Sequence, residues 1–342
     1  MPKTALVISG GGCKGAFAVG VLKQMKRDFP DIRFDIVVGT STGALIAPFA
    51  ALGDIDILET LYTTVTTDKI ITKGNVVNRL LGDDSLFDAK PLANLIKQFL
   101  TDDRCQQLFQ SPVEVFIATT CLQTGEAVNF ATLTPPIVSN NIVRKVANAD
   151  QLRRAVMASA CQPVFMPPIE VDVNAQPRQQ FVDGGVREYA GIDLAIEAGA
   201  DEIYAILLTP AQADAENKVY SDTFSILQRT IDTFSTEVNE NDLHVPMLFN
   251  RGLRYIAAVR QKLQDAGVSA AIINQCFNIE LTNPFAGKQP KKIFVIRPVD
   301  ALGGGPGGLD FDPTAMKGML ALGQMRLTNY MATRPPNGDD LA

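Results

Sequence analysis

The sequence predicts an α/β protein whose mainly parallel central sheet is covered by helices in three layers. Three observations carry that prediction. The apolar runs TALVIS (residues 4–9) and FDIVVG (34–39) are continuous rather than alternating, as strands buried on both faces are. Each run closes in a glycine-rich turn and passes into a helix-like segment, AFAVGVLKQMKRDF and then TGALIAPFAALG. That order of strand, turn, helix, strand, turn, helix is the pattern of βαβ units.

The remaining elements follow in chain order. The first helix groups Phe17, Val21 and Leu22 or Met25 on one side. Residues 54–110 read as helices with polar connections, AKPLANLIKQFL among them. VEVFIATT (113–120) is a strand, and Thr124-Gly125 turns it toward EAVNF as a hairpin partner. QLRRAVMASA is helical and stops at Pro163, and QFVDGG is a short strand ending in a tight turn. DLAIEAGA and DEIYAILLT give one more helix and strand. From about 213 to 275 the chain is helical and polar-faced, with a loop-like break at NENDLHVPMLF. KKIFVIRPV (291–299) is a last strand, GGGPGGLDFDP a flexible surface loop, and TAMKGMLALGQMRLTNYM a closing helix. There is no repeat and no low-complexity tract. Residues 1–342 therefore read as one catalytic domain with a mostly helical insertion at about 213–285.

Composition narrows the function. A length of 342 residues supports a sizeable core, and 46% hydrophobic with 20% charged residues is ordinary for a folded chain. The net charge of −6 argues against a nucleic-acid partner, whose binding face is basic. It leaves room for a lipid substrate and for peripheral membrane contact. Five scattered cysteines (Cys13, Cys105, Cys121, Cys161, Cys276) and a single histidine, His244, form no metal-ligand spacing, so neither metal nor cofactor is expected. Mostly buried, reduced thiols and the lack of a signal-like or membrane-spanning run lead to the expectation of a soluble cytoplasmic protein.

Three glycine-bounded stretches hold the candidate chemistry. Gly10-Gly11-Gly12-Cys13-Lys14-Gly15 lies between the first strand and helix. A dinucleotide site built on such a loop needs an acid at the end of the second strand, but the only acid there, Asp35, stands at its start. The loop's other use is to turn several backbone N–H groups toward one point, with the helix N-terminus adding positive potential, which is oxyanion-hole chemistry. Gly39-Thr40-Ser41-Thr42-Gly43 has the form G-x-S-x-G. It can place Ser41 at the apex of a sharp turn, because glycines two residues to either side remove colliding side chains. The plainer role for Ser41 is a helix N-cap. Asp183-Gly184-Gly185 sets an acid at a strand end, where a turn former is the ordinary alternative.

Together and in this order, SGGGCKG, GTSTG and DGG resemble the patatin-like phospholipases, a family of lipid acyl hydrolases. The resemblance extends to TTCLQTGEAVNF and ASACQPVFMPPIE and covers roughly residues 4–210. It implies a nucleophile at Ser41, its partner in a Ser-Asp dyad at Asp183, an oxyanion hole in the Gly10–Gly15 loop, and a lipid or phospholipid substrate. After the aspartate turn the chain reads REYAGIDLA, where many members carry an Asn-Asn-Pro-like stretch, and Lys14 stands where arginine is frequent. An acyltransferase using the same serine and a catalytically silent lipid-binding module are the alternatives.

The base is the chemical question. A carboxylate in contact with a serine hydroxyl can accept its proton if burial raises its pKa. Ser41, Asp183 and His244 also follow the chain order of an α/β-hydrolase triad. That fold needs several strands ahead of its nucleophile, and the segment before Ser41 is too short for them.

Overall fold

The computed structural model describes residues 2–73, 85–133, 141–212, 219–278 and 283–340. Strand β1 (Thr4–Ile8) leads through a glycine turn into α1 (Gly15–Asp28), and β2 (Ile36–Thr40) leads into α2 (Thr42–Leu52). There follow α3 (Ile55–Thr64), the short antiparallel pair β3 (Thr72–Lys73) and β4 (Phe87–Asp88), α4 (Lys90–Phe99) and α5 (Asp102–Gln110). The two-stranded pair lies in a region that the pattern reads as helical. Each strand is only two residues long, too short to show a period.

The longest strand of the sheet is β5 (Glu114–Cys121), buried along its whole length and joined by a hairpin to β6 (Ala127–Ala131). Beyond it come β7 (Ile142–Lys145), α6 (Ala149–Ala160), β8 (Phe181–Asp183), α7 (Ile192–Glu197) and β9 (Glu202–Ile206). The chain ends with α8 (Thr223–Asp265), α9 (Ala270–Phe277), β10 (Lys292–Ile296) and α10 (Pro313–Thr333). The strand order is β10-β9-β1-β2-β5-β6-β7, and β10, β9, β1, β2 and β5 all run parallel.

Alternation along the strands divides the core between the two faces of the sheet. Leu6, Ile8 and Val37 join the core under α1 to α4, whereas Ala5, Val7, Ile36 and Val38 join the core under α7 and the Leu243 and Met247 side chains of α8. Helix, sheet and helix are thus the three layers. The first helix is more buried than a one-sided stripe predicts, with every residue from Gly15 to Leu22 inside. The cause is α10, whose Leu320 carbonyl would lie 2.0 Å from any Cβ on Gly20.

Two readings of the later chain are corrected. NENDLHVPMLF is not a break, because α8 runs unbroken through it with Pro246 and His244 inside the helix. Asn239, at its start, makes a tertiary contact, donating to Thr209 Oγ1 at 2.9 Å, and Asn250, just past its end, donates to the Lys291 carbonyl at 2.7 Å. The glycine run at 303–308 is not a free surface loop either. It packs on the Gly10–Gly15 turn, with Gly308 pressed against the Gly11 and Gly12 backbone.

Candidate active site

The site forms where two strands meet end to end along one edge of β5. On that edge β2 pairs with residues 114–118, ending at Thr40 opposite Ala118. One residue further, Thr119 pairs with Asp183 of the antiparallel strand β8. The other edge of β5 is taken by β6 over the same stretch. Ser41 therefore leaves β2 at the point where Asp183 ends β8, although the two are 142 positions apart in sequence.

Ser41 occupies the apex of the turn with φ 56° and ψ −121°, a conformation that non-glycine residues rarely hold. The surrounding packing enforces it. A Cβ on Gly43 would lie 2.1 Å from the Ile8 carbonyl, so α2 can start this close to β1 only with glycine there. The Ser41 amide donates to Ser159 Oγ at 2.9 Å, and its carbonyl accepts from the Ala44 amide at 2.9 Å, as the first bond of α2. Ser41 is thus at the N-cap position, but its hydroxyl does no capping. The hydroxyl stands by the Asp183 carboxylate instead, close enough to pull its pKa down.

Asp183 is held on three sides. Its amide donates to the Cys161 carbonyl at 2.9 Å, its Oδ1 accepts from the Gly185 amide at 2.8 Å, and Gly184 lies flat against the Ala118 carbonyl. Burial pushes its carboxyl up to about 6, with the bonds from Ser41 and Gly185 pulling the other way. A carboxylate poised there is a stronger base than a free aspartate, and it remains ionised in most molecules at pH 7.

The Gly10–Gly15 turn stands beside Ser41. Gly11 (φ 149°) and Gly12 (φ 58°) take positive φ, and a short 3-10 turn, Gly12–Lys14, joins them to α1. Ser9 fixes the turn to β9, its amide donating to the Ile206 carbonyl and its hydroxyl accepting from the Leu208 amide, both at 3.1 Å. Gly11, Gly12, Lys14, Ser41, Thr42, Asp183 and Gly185 all line one cavity of about 860 Å³. Cys13 points away from it toward the Gly304 carbonyl, and burial pushes its thiol up to about 11. Gly10 packs on Ser41, while Gly15, Gly39 and Thr40 lie buried behind the turn.

The far wall comes from the later chain. Arg229, Asp232 and His244 of α8 line the cavity, as do Gly303, Gly305 and Gly307 of the glycine run. Asp232 accepts from the Gly307 amide at 3.2 Å, tying these two walls together. On the other side Leu45, Ile70, Leu92 and Phe311 are shared with an adjoining apolar crevice between α2, α3 and α4.

Sequence reasoning missed Ser159, Tyr189, Glu188 and Asp242. Asp242 of α8 accepts hydrogen bonds from the Tyr189 and Ala190 amides, fixing the segment after the aspartate turn. Glu188 is buried beside it, accepting from Asn129 Nδ2 at 3.2 Å. Burial drives Glu188 up to about 7 and Asp242 up to about 6. Ser159 stands in the family-like stretch ASACQPVFMPPIE, Glu188 and Tyr189 stand where REYAGIDLA breaks from the family pattern, and nothing in the sequence marks Asp242. Among the described residues no cluster of three or more His, Cys, Asp or Glu side chains is placed to hold a metal ion. No described helix is long and apolar enough to cross a membrane.

Comparison with known proteins gives three findings. The family model described as Patatin-like phospholipase matches residues 6–196. A curated protein of Escherichia coli described as a cUMP-AMP-activated phospholipase is 47% identical over 62 residues, 17% of this chain and only 19% of that protein's length. The solved structure of VipD from Legionella pneumophila superimposes with a TM-score of 0.42 at 11% identity, covering 97% of this chain and 67% of that one.

Proposed function

The chain belongs to the patatin-like phospholipase family, and from that premise we propose that it hydrolyses fatty-acyl esters of phospholipids through a Ser41–Asp183 dyad and an acyl-enzyme. One observation carries the reading: a serine held at a strained apex, beside a buried carboxylate of raised pKa on which it acts. In the first step Ser41 Oγ forms a bond to the ester carbonyl carbon and its proton passes to Asp183. The carbonyl oxygen becomes an oxyanion, and the amides around Gly11 and Gly12 stabilise it. As the carbon–oxygen ester bond breaks, the protonated Asp183 returns its proton to the departing alcohol, leaving acyl-Ser41. Water then attacks with Asp183 again as base, and the fatty acid leaves.

The surroundings support the substrate class. An apolar crevice beside the nucleophile suits an acyl chain, and a polar wall bearing Lys14 and Arg229 suits an anionic head group. We read residues 1–342 as one catalytic domain, because β10 extends the same sheet and α10 packs on α1. Residues 213–285 are then its mostly helical insertion, with α8 and α9 as the described parts.

The test is a panel of lipid esters assayed with wild type and Ser41→Ala. Hydrolysis by the wild type, lost by at least about 1,000-fold in a variant of unchanged melting temperature, is the expected result. Activity retained in the variant sinks the dyad. Acyl transfer to an added alcohol in preference to water makes the protein an acyltransferase. Lipid binding without turnover makes it a binding module.

A further inference from the structure

The dyad leaves a chemical task open. The alkoxide of a glycerol ester is a poor leaving group, and Asp183 is the one proton donor assigned to it so far. A second, neutral donor on the leaving-group side would lower that barrier.

Tyr189 stands there. Its ring sits in the crease between the oxyanion turn and the aspartate turn. Tyr189 Cζ and Ser41 Cβ both lie 3.0 Å from the place a Cβ on Gly10 would take, so the carbon bearing the phenol oxygen is a near neighbour of the nucleophile. Further along the same edge, Tyr189 Cδ2 lies 2.6 Å from the place of a Cβ on Gly185, so one edge of the ring spans both turns. The side chain lines the catalytic cavity. Its hydroxyl makes no hydrogen bond to any described residue, although its backbone amide is held by Asp242. An anchored main chain, a ring wedged by glycines and an unengaged hydroxyl at the cavity wall describe a preorganised donor.

The side on which it stands identifies the atom it serves. The oxyanion must face the Gly11 and Gly12 amides, while the leaving oxygen must face Asp183 to receive its proton. Tyr189 packs against Gly185, two residues past Asp183. Burial, joined by the charges of Asp183 and Asp232, holds the phenol's pKa well above the usual range, so it stays protonated and can donate.

We propose that Tyr189 is a further catalytic residue, whose phenol O–H donates a hydrogen bond to the leaving alcohol oxygen while Asp183 supplies the proton itself. No net transfer from tyrosine is involved: the ester carbon–oxygen bond breaks, the Asp183 proton passes to the alcohol, and the phenol keeps its own. The proposal rests on the hydrolase reading above.

Tyr189→Phe tests it, because the ring and its packing remain and only the hydroxyl is lost. The measurement is kcat/KM on two soluble esters with the same acyl group, one of a simple alkanol and one of p-nitrophenol. The p-nitrophenolate leaves without assistance. The expected result is a loss of about 10-fold or more on the alkanol ester and less than about threefold on the p-nitrophenyl ester. Equal losses on both would mean a structural role and overturn the proposal, as would no loss on either. A wild type inactive on both esters sinks the hydrolase reading and the tyrosine's role with it.

Discussion

The cavity has two kinds of wall. Residues 4–208 supply the turns that end β1, β2 and β8, each glycine-bounded and each at the end of a strand. Residues 219–340 supply a 43-residue helix and a glycine run that touch these turns from outside. In the first region the local pattern and the local structure coincide, since a buried strand followed by a glycine turn forces a projecting residue. In the second, each contact is tertiary: Asp242 on the Tyr189 and Ala190 amides, Asp232 on Gly307, and Gly308 on Gly12. The candidate reacting groups are set by short-range chain geometry, and their enclosure by parts of the chain far away in sequence.

The largest expected effect tests the first region alone. Asp183→Asn keeps the side chain's shape and removes its ability to take a proton, so turnover of a soluble ester should fall on the order of 1,000-fold, close to the Ser41→Ala loss. His244→Ala, on the opposite wall, should stay within about threefold of wild type. A crippled His244→Ala beside a partly active Asp183→Asn would reverse the comparison and make the histidine the base. The pH profile sharpens the same point. Asp183 acts as base only when ionised, so kcat/KM should rise with pH through about 6 and then level off.

Next comes the seam between the two regions. Gly12 has φ 58°, and a Cβ there would lie 2.2 Å from the Gly308 carbonyl. Gly12→Ala must therefore push the glycine run away or turn the oxyanion amides aside, and a loss of about 100- to 1,000-fold is expected. Gly125→Ala is the control, since Gly125 has a similar φ of 69° but nothing within 4 Å. It should cost about 1–2 kcal/mol of stability from backbone strain and leave turnover of the folded protein unchanged. Equal activity losses at the two positions would show that strain, and not the seam, matters.

The smallest effect concerns the buried acids that join α8 to the aspartate turn. Glu188 and Asp242 have raised pKa values, so the folded state binds more protons than the unfolded state between about pH 4 and 7. Their favourable contribution is full below the unfolded pKa and disappears as pH rises through the folded one. Glu188→Gln removes the charge and keeps an oxygen to accept from Asn129. Its melting temperature relative to wild type should improve between pH 5 and pH 8, by about 2–5 °C. A difference that does not change with pH would show that Glu188 is not titrating in this range.

Legibility followed the same division. TALVIS and FDIVVG announced parallel buried strands because strands covered on both faces have no polar side to show, and both paired as expected. Ser41 and Asp183 were readable because a strained turn needs glycine beside it. By contrast, NENDLHVPMLF read as a break because its polar residues looked solvent-bound, whereas Asn239 and Asp242 reach other elements. GGGPGG read as a loose loop because nothing local shows what it packs on.

The sequence by itself determined the layered α/β architecture, the glycine turns and the two candidate reacting residues, because these depend on period and on backbone sterics over a few residues. Only the tertiary structure brought Ser41 to Asp183, since that pairing depends on β5 running on past β2 to Cys121 and taking β8 on the freed edge. It also decided that Tyr189 stands beside Ser41 and that α8 and the 303–308 run wall the cavity. Contacts of that kind arise from where whole elements stack, a property that no short stretch of chain encodes.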